Sequence, residues 1–337
     1  MINLGIIGYG NWGPKLVSNF MAVDLCTVKK VADQRKERLS LISSHYPAIE
    51  SVQLNDDILN DPGIDAVVIS TPIYTHYEIA RKALGQGKHV LLEKPMTSNT
   101  DQALKLIELA GEKQKVLMVD HTLLYAGAVQ KIKELIDGGE TGKLNYFDST
   151  RMNLGLFQPD INVLWDLAAH DISVLNFLIN EKPYSVHSTG KCHTGNGVEN
   201  IGYMTINYQS GLIAHFNCSW ISPVKRRVIL IGGDKKMIFF NDLEPAEKIR
   251  VYDCGYKYAL NDKKYDIKVD YRTGDVYIPK ISHKEALSTM AADFVNAIMK
   301  GTTPVSNHIS GLEVMRILEA SDNSMKNCGR EVVLNHL

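Results

Sequence analysis

The chain has 337 residues, more than one hydrophobic core usually serves, and this predicts two domains. Its composition, 45% hydrophobic and 22% charged, is that of an ordinary globular protein, and a formal net charge of −1 offers no broad basic field to hold a polyanion such as DNA. Cys26, Cys192, Cys218, Cys254 and Cys328 are odd in number and contain no C-x-x-C pair, so neither a thiolate zinc site nor a redox disulfide is indicated and a reducing compartment fits. The N-terminus lacks the basic-then-apolar layout of a signal peptide and no run of about 18 apolar residues occurs. The expectation is a cytoplasmic protein with no metal and neither nucleic-acid nor membrane partners. The short basic clusters Lys29-Lys30, Lys225-Arg226-Arg227 and Lys263-Lys264 read as solvated faces.

Ile2 to Ile7 predicts a buried strand running straight into Gly8-Tyr9-Gly10-Asn11-Trp12-Gly13, a G-x-G-x-x-G, with Pro14 at a first helical position where its missing donor costs nothing. In such a turn the first glycine permits the tight bend, the second lets backbone approach a pyrophosphate, and the third lets the helix sit close to the strand. The helix amides then face the phosphates. A second strand, Cys26 to Ala32, ends at Asp33, where a carboxylate would accept hydrogen bonds from the adenosine ribose and repel a 2′-phosphate. The expected cofactor is NAD rather than NADP, with Gln34 in the cofactor set and Arg35 as a group that softens the preference.

Ile64 to Ser70 is an apolar run of the kind buried on both faces of a parallel sheet. In a doubly wound sheet ligands lie at the carboxyl ends of the strands, which puts Ser70, Thr71 and Pro72 against the cofactor and Tyr74 and His76 close by. For His76 alone, binding and packing are both open. A helix from Tyr77 to Leu84 leads to a strand, His89 to Leu92, that carries Glu93-Lys94-Pro95 at its carboxyl end. Thr100 is expected to cap a helix from Asp101 to Lys113, and Val116 to Asp120 makes one more strand, ending at His121. This β-α alternation predicts a doubly wound parallel sheet of the Rossmann type over residues 1–122.

From residue 123 to the end the pattern changes to an α+β domain. Gln130 to Leu135 predicts a short helix and Leu144 to Arg151 a strand, followed by Val163 to Leu175, too long and periodic for a strand. On a helix Asp166, His170 and Ser173 fall on one polar line of an otherwise apolar rod. Either the first two satisfy each other inside a core or the line faces a ligand. Ser185–Lys191, Gly202–Tyr208, Leu212–Trp220, Arg227–Ile231 and Met237–Asn241 read as strands whose short connections require antiparallel pairing in an open sheet. Lys257 to Ile281 is either an excursion at the sheet rim or a flap that supplies Arg272, Tyr277 and Lys280 to an anionic substrate or a neighbouring subunit. Glu285 to Lys300 and Ser310 to Met325 predict closing helices that pack back on the structure.

The glycine motif, the Thr71-Pro72…His76 segment and above all Glu93-Lys94-Pro95 after an apolar strand resemble the Gfo/Idh/MocA family of NAD(P)-dependent oxidoreductases along essentially the whole chain. The resemblance implies a catalytic Lys94, in a Lys-Pro bond that is frequently cis in the family, completed by Asp166 and His170 as a triad. It implies a cofactor site formed by the residues above together with Glu93, Lys94 and His121. It also implies a sugar or polyol substrate met by Lys94, Arg151, Asp166, His170, Arg272 and Tyr277. Leu167-Ala168-Ala169 departs from the glycine or proline often found there, and Asp171 either touches the sugar or anchors the helix. Trp165 to Ser173, together with Ser149-Thr150-Arg151 and Arg272-Thr273-Gly274-Asp275, are similar to a branch concerned with nucleotide sugars, which implies a UDP-N-acetylglucosamine-like 3-dehydrogenase. A free polyol or inositol dehydrogenase is the alternative. A non-catalytic NAD-binding sensor or scaffold would need no Lys94, Asp166 and His170 together. An open sheet with an apolar face implies a homodimer or homotetramer.

Overall fold

Six segments pair in parallel because the connections between them are long enough to cross over: β1 (Ile2–Ile7), β2 (Cys26–Ala32), β3 (Glu50–Val52), β4 (Ala66–Ile69), β5 (His89–Glu93) and β6 (Leu117–Asp120). The intervening helices are α1 (Gly13–Met21), α2 (Lys36–His45), α3 (Asp56–Leu59), α4 (Ile73–Gly85) and α5 (Thr100–Glu112). The strand order is β3-β2-β1-β4-β5-β6, so the winding reverses between β1 and β4, and that reversal opens a crevice at the strands' carboxyl ends. Leu4, Ile6, Ile7, Val67, Ile69, Leu91, Leu92 and Val119 are shut from solvent. Each such side chain contributes about 1.5–3 kcal/mol. One expected cap differs: Asn99, not Thr100, starts α5, its side chain accepting the Gln102 N–H at 2.9 Å.

This is a computed structural model and describes residues 1–155, 157–260 and 267–334. Beyond the first sheet it shows α6 (Gly127–Asp137), β7 (Leu144–Leu154), a π turn (Leu164–Ala168) and α7 (Ala169–Leu178). Next come β8 (Ser185–Lys191), β9 (Ile201–Asn207), β10 (Ile213–Ser219), β11 (Ile221–Gly233), β12 (Met237–Asn241), β13 (Ile249–Leu260) and β14 (Ile267–Tyr277). With β15 (Val332–Val333) they form a sheet ordered β14-β13-β12-β11-β7-β10-β9-β8-β15. It is mainly antiparallel, as expected, but β7 and β10 pair in parallel. The helical segment and two strands between them give the chain length to return in the same direction. One face alternates inward with Phe147, Ser149, Arg151, Met204, Ile206, Ala214, Phe216, Ile229 and Ile231, all buried. The stretch expected as a rim excursion is the antiparallel pair β13 and β14, with residues 261–266 outside those described.

Two closing helices follow, α8 (Ala286–Lys300) and α9 (His308–Lys326). The chain divides into one unit of residues 1–126 and 284–316 and another of 127–283 and 317–337. In the first, Phe294 of α8 meets Phe20 of α1 edge to face at 6.2 Å. Among the described residues, no helix is long and apolar enough to cross a membrane.

Candidate active site

The glycine turn is dictated by close approach. Gly8 has φ +101°, and a Cβ there would stand 2.3 Å from the Ser70 carbonyl oxygen; at Gly13 it would stand 2.6 Å from the Gly8 oxygen. Gly10 is different, since the nearest atom to a Cβ would be Arg35 Nη2 at 3.8 Å, which leaves the turn open on that side. No side chain makes a capping hydrogen bond at the start of α1, so its first amides are left to other acceptors. A diphosphate would fit this cradle, and the amides of Gly10, Asn11, Trp12 and Gly13 are the groups that would hold it. Tyr9 is buried and its N–H donates to Asp33 Oδ2 at 2.8 Å.

Asp33 ends β2 with its carboxylate nearly enclosed. Besides Tyr9, it accepts from the Arg35 N–H at 2.9 Å and from Arg35 Nε and Nη2, each at 3.0 Å. Burial alone would raise its pKa, but the Arg35 and Tyr9 hydrogen bonds outweigh it and hold the acid below its ordinary value. Its acceptor positions are thus all taken, and a ribose hydroxyl must displace Arg35 to reach it. Gln34 is exposed beside it.

At the end of β4, Ser70 and Thr71 are half-buried while Pro72 and Tyr74 are exposed. His76 resolves toward packing: it is buried, with Nε2 2.8 Å from the Thr71 oxygen and Nδ1 3.1 Å from the Pro95 oxygen, and so ties the β4 turn to the lysine turn. Lys94 follows β5, half-buried, in a cis peptide with Pro95. Beside it in register, Glu93 faces Asp120 across β5 and β6. Asp120 accepts from Trp12 Nε1 at 3.3 Å and from the Thr122 hydroxyl. His121 is buried with neither ring nitrogen hydrogen-bonded among the described residues, and burial, helped by the Lys94 charge, pushes its pKa down to about 3. It is a neutral imidazole.

In the second unit, Asn162 opens the helical segment, its Oδ1 accepting from the amides of Leu164 at 3.0 Å and Trp165 at 3.2 Å. Asn before an apolar periodic run is a helix-start signal that was available in the sequence. Asp166 lies in the π turn and His170 in the first turn of α7, both half-buried, so the uniform α-helix expected here is widened at its start. π turns of this kind often re-aim side chains at functional sites. Trp220 Nε1 donates to Asp166 Oδ2 at 3.1 Å from the end of β10, a partner no sequence spacing announces. Asp171 anchors the helix: Ser149 donates to it at 2.7 Å and Arg151 at 2.9 and 2.6 Å. Arg151, expected against substrate, is instead buried and bound by Asp171 beneath α7. Arg272 and Tyr277 also lie elsewhere, for β14 is separated from β7 by three strands, roughly 19 Å at sheet spacing. There Arg272 pairs with Asp253 and the Tyr277 hydroxyl donates to Glu140 at 2.9 Å.

Residues 2–121 match the family model described as an oxidoreductase family with an NAD-binding Rossmann fold, and residues 129–239 match the GFO/IDH/MocA C-terminal domain. The chain belongs to the Gfo/Idh/MocA oxidoreductase family. Its cofactor is NAD. Among Gfo/Idh/MocA relatives it is similar to a UDP-N-acetylglucosamine 3-dehydrogenase of Acidithiobacillus ferrooxidans, 26% identical over 92% of this chain and 93% of the relative. It is also similar to a scyllo-inositol 2-dehydrogenase (NAD(+)) of Bacillus subtilis, 24% identical over 97% and 93%. The solved structure of the Acidithiobacillus ferrooxidans enzyme shares the fold with a TM-score of 0.79 and 22% identity, covering 98% of this chain and 99% of the other.

Proposed function

We propose that this family member oxidises, or reduces back, a secondary hydroxyl of a sugar carried on a nucleotide, as a UDP-N-acetylglucosamine-like 3-dehydrogenase. The observation that carries the reading is Lys94, a half-buried cation at the carboxyl end of β5, in the sheet whose first turn is the glycine cradle. Bound NAD supplies a hydride acceptor; everything else falls to side chains. Lys94 donates to the reacting oxygen and stabilises charge developing there, His170 takes the hydroxyl proton, and Asp166, itself held by Trp220, orients the imidazole or an adjacent hydroxyl. The nucleotide-sugar choice is supported by similarity to the Acidithiobacillus enzyme over nearly the whole chain, and a free inositol is the second choice on the similarity to the Bacillus enzyme. Offering NAD with UDP-N-acetylglucosamine, free sugars and inositols while following absorbance of the reduced cofactor separates them. Lys94→Ala should lower turnover by about 10²–10⁴-fold while NAD affinity by calorimetry changes little. Near wild-type turnover in that variant would end the proposed mechanism.

A further inference from the structure

A row of donors leads away from Asp166 on one face of the nine-stranded sheet. Side chains of paired residues share a face, and the buried Arg151 of β7, bound to Asp171 of α7, marks the face that α7 covers. Cys218 of β10 and Arg227 of β11 are its register partners on either side. Two residues after Cys218 comes Trp220, whose indole holds Asp166, and two residues before Arg227 comes Lys225, still within β11. By the period of two, both return to the α7 face, with Asn153 of β7 between them. Trp220 and Lys225 are therefore two strand spacings apart, roughly 10 Å.

The members of this row differ in what already binds them. Arg227 pairs with Asp242 at 3.4 Å, a carboxylate that Lys248 also reaches. Lys225 is exposed and Asn153 half-buried, and neither side chain forms a hydrogen bond or ion pair among the described residues. The Asn153 amide lies close to the indole: a Cβ on Gly155 would stand 2.3 Å from its Nδ2 and 3.6 Å from Trp220 Cδ1. Just beyond, Phe157 packs edge to face with Trp220 at 5.6 Å and stays 39% exposed. An ammonium, a carboxamide and an open aromatic ring around one tryptophan suit an anion joined to a flat ring system. A free inositol has neither part.

We infer that Lys225, Asn153 and Phe157 form the subsite for the nucleoside diphosphate that carries the sugar. Lys225 and Asn153 donate to phosphate oxygens, and Phe157 stacks on the base. The assignment rests on the reading above of Asp166 and His170 as the reacting end, from which a diphosphate must run on to reach its nucleoside. Arg226 supplies an internal contrast. It is the register partner of Met152, so it carries the same charge as Lys225 on the opposite face of the sheet, and it is equally exposed to solvent as a class of residue. Since a free sugar or inositol gains nothing from the row, these three residues decide between the two substrate classes.

Calorimetry of the full-length protein with NAD present, titrated with UDP as the probe, tests this. Lys225→Ala should weaken UDP by about tenfold or more, the worth of a charge-assisted hydrogen bond, whereas Arg226→Ala should leave it within about twofold. Phe157→Leu should weaken UDP several-fold and inorganic diphosphate hardly at all. With UDP-N-acetylglucosamine as substrate, the loss in Lys225→Ala should fall on KM rather than kcat. No UDP binding by the wild type, or equal losses in Lys225→Ala and Arg226→Ala, overturns the subsite. UDP binding that follows the expected pattern while no nucleotide sugar reduces NAD would leave the subsite standing and sink only the 3-dehydrogenase reading. Turnover of the nucleotide sugar with an unchanged KM in Lys225→Ala would do the reverse.

Discussion

At the scale of residues, the cofactor turn was legible and its electrostatics were not. Gly8, Gly10 and Gly13 announce themselves because backbone contact forbids a Cβ at Gly8 and Gly13, and the requirement is local in sequence. What surrounds Asp33 depends on how Arg35 folds back, which spacing does not reveal. Since Arg35 occupies the carboxylate and an arginine beside this acid can also accommodate a 2′-phosphate, Arg35→Ala should free Asp33 for the ribose hydroxyls and remove a group favouring NADP. The ratio of kcat/KM for NAD over NADP should rise by about tenfold or more, the worth of a charge-assisted hydrogen bond, and an unchanged ratio would show that Arg35 plays no part in the choice. His121 gives a pH test. Its folded pKa is depressed to about 3 from an ordinary value of about 6.5, so the unfolded state binds the extra proton between those values and stability falls as pH drops through that window. His121→Phe should flatten the fall in Tm between about pH 6.5 and 4 relative to wild type; parallel curves would place the acid lability elsewhere, for instance at His89, depressed to about 4 chiefly by burial.

At the scale of elements, strands buried on both faces were read closely, because β4 is apolar throughout and β5 and β6 carry the apolar runs Val90–Leu92 and Leu117–Val119. β11 was read short: Pro223, Val224, Lys225 and Arg226 are exposed in its first half, and a register irregularity separates Ile221 from Arg226, so neither alternation nor hydrophobicity marks that part. The polar line on the helix was seen, yet its support was not. Arg151 and Asp171 are twenty residues apart and pair only because β7 passes under α7. That pair, 5% and 1% exposed, is a position where losing one partner strands the other as a buried charge. Asp171→Ala should therefore destabilise the protein by about 3–5 kcal/mol in urea unfolding, whereas Asp171 acting as a sugar ligand would show mainly as a raised KM at unchanged stability. Trp220→Phe probes the same region from the other side: losing its bond to Asp166 should lower turnover several-fold at a stability cost of about 1 kcal/mol.

At the scale of the whole molecule, the question is what covers the outward face of the nine-stranded sheet. Period-2 alternation that buries Met204, Ala214, Phe216 and Ile229 turns Tyr203, Ile213 and Leu230 the other way, where they are 42%, 46% and 39% exposed. They lie on β9, β10 and β11, around the centre of the sheet, and β7 between the latter two adds the half-buried Tyr146. Large apolar side chains gathered on one flat face are the usual mark of an association surface, and a sheet face offers the flat area that a self-complementary contact of about 800 Å² per partner needs. We expect a second copy of the chain to lie there. The double substitution Ile213→Asp with Leu230→Asp places two charges at the middle of that contact, while both side chains point away from the buried layer, so folding should persist with Tm shifted by only a few degrees. Sedimentation should then show the wild type at a multiple of the chain mass and the variant at a smaller one. If both sediment as the same oligomer, the copies meet through another surface, and if the wild type is itself a single chain, the exposed face awaits no partner of its own kind.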